Sequence, residues 1–192
     1  MANPLYKLRV IFRNRLFKFK GALLKMYLKF SGCEVSGSIK CKQFPKFRTL
    51  PKGNIKLGKN VTIGYRITFD VSNSGKLSIG DQTTLTQDII ISSNDSVVIG
   101  NNVLVAEHVS IRDSDHGIDK SKPINTQELV SLPVQIKDDV WIGAGVRILK
   151  GSCLNKGCVI AANSVVLSKN ITTDYEIYGG IPIKKIGERK VT

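Results

Sequence analysis

At 192 residues the chain has room for one sizeable domain and a small appendage, and it holds no run of about twenty apolar residues that could cross a bilayer as a helix. Eight of its 14 net positive charges, Lys7, Arg9, Arg13, Arg15, Lys18, Lys20, Lys25 and Lys29, precede Glu34 with no acid among them. No nucleic-acid-binding motif accompanies that basic end, which argues against a nucleic-acid role. Four cysteines without a C-x-x-C pair, and no signal-peptide pattern, read as reduced thiols in a cytoplasmic protein.

In chain order, residues 1–31 form a basic segment. Leu5, Leu8 and Phe12, then Leu16, Phe19 and Leu23, keep three- and four-residue steps, which predicts an amphipathic helix. Two compatible roles follow. Cations beside aromatics suit peripheral membrane contact through residues 5–30, and a helix packed on the end of a repeat array would cover an open edge.

Residues 32–170 follow another rhythm. An aliphatic or aromatic residue returns every sixth position: Leu57, Ile63, Phe69; Ile79, Leu85, Ile91; Ile99, Val105, Ile111; Ile136, Ile142, Ile148; Leu154, Ile160, Val166. Six fits neither a helix nor a two-faced strand; it is the hexapeptide period of a β-helix, whose short strands each send one large side chain inward. Ile39, 18 positions before Leu57, hints at a degenerate first coil. The phase breaks mildly after Phe69 and Ile91. It breaks deeply between Ile111 and Ile136, leaving a loop over 112–133 with Asp113, Asp115, His116 and Asp119. Long loops on rigid arrays are where function concentrates. Residues 171–192 make a C-terminal tail.

These repeats, the loop opening "RDSDHGID", and the later "LPVQIKDDVWIGAGVRILKG", "VIAANSVV" and "GGIPIKKI" resemble the hexapeptide-repeat acyltransferases, and more narrowly the branch that acetylates sugars and cell-surface polysaccharides. The resemblance implies an all-β, left-handed parallel β-helix. It also implies a homotrimer with acetyl-CoA bound between subunits, and no metal. His116 occupies the place of the family's general base, and a neutral imidazole accepts a hydroxyl proton well at cytoplasmic pH. Asp113, Asp115 or a backbone carbonyl would orient it. If the local backbone is extended, Asp115 points to the opposite face; His108 reads as a surface or interface residue. By the same resemblance, Trp141 lies beside the cleft and Ala144 and Ala162 border the pantetheine arm. Ser168, Lys169 and Lys184 meet the CoA phosphates, and Asp88 meets the acceptor sugar. Ile183 and Ala161 depart from the family pattern.

The expected function is transfer of acetyl from acetyl-CoA to a sugar hydroxyl of a surface polysaccharide, capsule, O-antigen or precursor, in the cytoplasm or on the inner face of its membrane. N-acetylation of a nucleotide-linked amino sugar, or acetylation of another small acceptor, is the alternative. A purely structural β-helix would leave His116 and its loop incidental. A carbonic anhydrase of this solenoid type needs three histidines, and the chain has two.

Overall fold

Stacking the six-residue phases buries every one of them. The computed structural model describes residues 3–168, 170 and 172–191, and it winds the chain into six triangular coils. The first coil holds β1 (Glu34–Val35), β2 (Ile39–Cys41) and β3 (Lys46–Phe47), and the second β4 (Ile55–Leu57), β5 (Val61–Tyr65) and β6 (Thr68–Val71). The third holds β7 (Lys76–Ile79), β8 (Thr84–Gln87) and β9 (Ile90–Ser93), the fourth β10 (Ser96–Ile99), β11 (Leu104–Val105) and β12 (Ser110–Arg112). A hairpin, β13 (Ser114–His116) and β14 (Leu129–Ser131), then leaves the solenoid. The fifth coil is β15 (Val134–Ile136), β16 (Trp141–Ile142) and β17 (Arg147–Ile148); the sixth is β18 (Cys153–Leu154), β19 (Val159–Ile160) and β20 (Val165–Val166).

Like strands of successive coils pair in parallel, so the solenoid has three faces: β1-β4-β7-β10-β15-β18, β2-β5-β8-β11-β16-β19 and β3-β6-β9-β12-β17-β20. We call them the first, second and third faces. Ladders such as Ile63 on Leu85 and Ile91 on Ile111 keep each inward side chain above its equivalent. Coil corners demand left-handed backbone at fixed register. Between the second and third faces it is supplied by Arg66, Asp88, His108, Gly145 and Asn163, all at positive φ. The first coil departs from the expected spacing. Val35, not Ile39, pairs with Leu57, while Ile39 pairs with Val61, because the loop from Arg48 to Asn54 lengthens that turn to 22 residues.

Both ends of the array are covered. The helix α1 (Pro4–Phe30) lies over β2 and β1, burying Phe17, Gly21, Leu24 and Leu28. This row is not the one picked from the sequence. Leu5, Leu8, Phe12, Leu16, Phe19 and Leu23 all stay exposed. At the far end β21 (Glu176–Gly179) extends the second face beyond β19, and β22 (Lys184–Glu188) turns back antiparallel on it. No helix among the described residues is long and apolar enough to cross a membrane.

Candidate active site

The hairpin rises from the corner between the third and first faces, and its base is pinned from inside. Asp113 is fully buried and its carboxylate accepts from Ser93 Oγ at 2.9 Å, from the Asn94 amide at 2.8 Å and from the Asp95 amide at 2.9 Å. Asn94 Nδ2 also donates to Ser114 Oγ at 2.7 Å. Beyond these anchors the backbone is extended, so Ser114 and His116 share one side of β13 and Asp115 takes the other. Asp115 lies 3.4 Å from Lys150 Nζ. His116 is exposed, facing Leu129 of β14 across the ladder. At the hairpin's tip Gln127 bonds the carbonyls of Asp119 and Lys122 and accepts from the Asp119 amide. The Ser121 amide holds the Asp119 carboxyl below its usual range.

His116 borders a cleft of about 380 Å³ whose floor is the third face. Asp70, Ser92 and Arg112 stack there in register across three coils, beside Asn94 and Leu129. Asp70 is held by Arg48 at 3.1 Å, while among the described residues Arg112 makes one side-chain hydrogen bond, of 3.3 Å to Ser110 Oγ. The site thus combines an open imidazole with a polar floor carrying a guanidinium. Neither Asp113 nor Asp115 is hydrogen-bonded to the ring; each has the partners just named.

The other sequence-marked residues sit elsewhere. Trp141 is 51% exposed on the second face, between Leu104 and Val159 in the ladder. Ala144 and Ala162 stack at the corner between the second and third faces, the Asn163 amide donating to the Ala144 carbonyl at 2.7 Å. Asp88 and His108 occupy that same corner. Asp88 is gripped by Arg66 through bonds of 2.5 and 2.6 Å, and this contact first of all holds its carboxyl below the usual range. Arg147 donates to the His108 and Gly145 carbonyls and so ties two coils together along this edge. Ser168 is exposed after the sixth coil and Lys184 is exposed on β22. Lys169 lies outside the described residues. Within one chain, then, the His116 cleft and the Trp141–Ala144–Ala162 track flank the third face from opposite sides.

The family description "Bacterial transferase hexapeptide (six repeats)" matches residues 133–168. The putative lipopolysaccharide biosynthesis O-acetyl transferase WbbJ of Escherichia coli is 32% identical over 142 residues, covering 70% of this chain and 71% of that protein. The chain belongs to the hexapeptide-repeat transferases. A probable acetyltransferase of Mycobacterium tuberculosis is 34% identical over 139 residues, 72% of this chain but only 45% of the relative's length. Among solved structures, a point mutant of AntD, an N-acyltransferase from Bacillus cereus, in complex with dTDP and coenzyme A superposes with a TM-score of 0.72 at 20% identity, covering 86% of this chain and 89% of that one. This last likeness is one of fold.

For a hexapeptide-repeat transferase, the residues that the sequence left unmarked are Arg112, Asn94 and Lys150. Arg112 had a signal in the repeat itself. It follows the inward Ile111 by one place, as Ser92 follows Ile91 and Asp70 follows Phe69, so all three share an outward column. Lys150 had none, since its link to Asp115 joins the hairpin to the fifth coil.

Proposed function

We propose that this protein moves an acetyl group from acetyl-CoA to a hydroxyl of a sugar destined for a cell-surface polysaccharide, working as a homotrimer. The observation that carries the reading is His116, exposed at the end of a pinned strand and bordering a polar cleft. The imidazole takes the hydroxyl proton as the sugar oxygen attacks the thioester carbonyl. The tetrahedral intermediate then collapses, the carbon–sulfur bond breaks, and the imidazolium returns the proton to the CoA sulfur. Asp113 holds the hairpin root rather than the ring, and Arg112 offers its guanidinium to acceptor oxygens. Trp141, Ala144 and Ala162 border the pantetheine arm. Ser168, Lys169 and Lys184 meet the CoA phosphates, and Asp88 meets the acceptor sugar. Work on a lipid-carried precursor goes with a peripheral place on the inner face of the cytoplasmic membrane.

His116→Ala tests this directly, because the side chain is exposed and its loss leaves the fold intact. Turnover of labelled acetyl-CoA with a glycan acceptor should fall about a hundredfold or more. Survival at the wild-type rate sinks the assignment. Label released from the product by mild base marks an ester; label that resists marks an amide and the N-acetyl alternative.

A further inference from the structure

The helix α1 carries two apolar faces. At about 100° per residue, Phe17, Gly21, Leu24 and Leu28 make the face packed on the solenoid. Leu5, Leu8, Phe12, Leu16, Phe19 and Leu23 make a second stripe roughly on the opposite side. Met26 and Phe30 continue it, so the stripe runs the whole helix; Phe12 is 70% and Phe30 86% exposed. Cations border it on both sides: Arg9 and Arg13 along one edge, Arg15, Lys18 and Lys29 along the other. None of these five is in an ion pair among the described residues. Lys20 and Lys25, by contrast, reach solenoid carbonyls of Lys42 and Gly37.

We infer that this outer face of α1 is a docking surface for an anionic lipid bilayer. A narrow apolar stripe between two rows of cations matches acyl chains below and phosphate headgroups at the sides. A second copy of the helix is a poor occupant, since it would bring eight cations against eight with no acid before Glu34 on either chain. Docked this way, the first coil faces the membrane and the fourth coil, from which the His116 hairpin leaves, stands about 15 Å further out at the spacing of paired strands. The docking stands on α1; its use, presenting a lipid-carried sugar to the cleft, rests on the acetyl-transfer reading.

Flotation of the full-length protein with vesicles tests the docking. Binding should be at least about tenfold stronger to phosphatidylcholine vesicles containing phosphatidylglycerol than to phosphatidylcholine alone, and should weaken with salt. The combined change Leu8→Gln, Phe12→Gln and Phe19→Gln should cut binding about tenfold or more, with the melting temperature and acetyl transfer to a water-soluble glycan unchanged. Neutralising Arg9, Arg13, Arg15 and Lys18 to glutamine should remove the preference for anionic lipid. Absence of vesicle binding by the wild type, or unchanged binding by the apolar variant, overturns the inference. So does a lipid-free assembly that the apolar variant dissolves, which would assign the face to a second copy. Displacement from vesicles by duplex DNA that both proteins bind equally would overturn it too. If the wild type binds vesicles but acetylates no acceptor, the docking stands and the catalytic reading fails.

Discussion

Asp113 is an acid placed where solvent cannot reach it, one residue after the outward Arg112 and three before His116. Its three donors, Ser93 Oγ and the amides of Asn94 and Asp95, come from the end of β9 and the turn after it, one coil below. Removing the carboxylate leaves Ser93 Oγ its second acceptor, the Lys76 carbonyl, but takes the acceptor from the Asn94 and Asp95 amides, a cost of up to about 1–3 kcal/mol for each amide. Asp113→Ala should therefore lower the melting temperature by several degrees and also slow turnover, because the hairpin root loosens. Asp113→Asn keeps one acceptor oxygen but turns an NH₂ toward amide donors, and should fall between. A pure orienting role for Asp113 predicts something else, a large loss of kcat with an unchanged melting curve, so calorimetry beside kinetics separates the two. The loop that carries His116 was legible in the sequence from where the six-residue rhythm stops, while its role as a base came from the family resemblance. The work of Asp113 was not, since its partners lie about twenty residues back and meet it only when the coils stack.

The repeat was legible for a simple reason. Each coil has room for one large side chain per face, so the core writes itself into the sequence at a constant interval. The helix was harder to read because two apolar rows share it, and the buried row includes a glycine that no hydrophobic pattern reveals. Gly21 is there for closeness: a β-carbon on it would sit 1.8 Å from the Ile39 carbonyl oxygen. Alanine is ordinarily the better helix former by about 1 kcal/mol. Here the sign should reverse. Gly21→Ala must push α1 away from β2 and loosen Leu24 and Leu28, a loss of about 1–3 kcal/mol as in other overpacked cores. Thermal melting of the variant checks this; a melting point equal to or above the wild type would mean the helix rides on the solenoid without close contact.

At the scale of the whole molecule, the two halves of the candidate site belong to different edges of one prism. The His116 cleft opens over the third face, while Ala144 and Ala162 lie on the corner with the second face and Trp141 beyond it. The exposed pair Trp141 and Leu104 adds an apolar patch to that second face. Both features make sense if neighbouring subunits of a ring bring one chain's hairpin against the next chain's track, a head-to-tail contact that closes on itself. Two inactive chains can then repair each other. His116→Ala removes the base, and Ala144→Trp blocks the track. If subunits mix at random in equal amounts, about a quarter of the sites pair an intact hairpin with an intact track, because each half is sound in half of the chains. Co-refolded variants should regain about that fraction of wild-type turnover, in particles with three times the 21.1 kDa chain mass by light scattering. Recovery would require both halves to come from different chains, since neither parent chain holds a complete set. No recovery in mixtures shown to exchange subunits, or full turnover by a monomer, would mean that each chain folds its own track onto its own cleft.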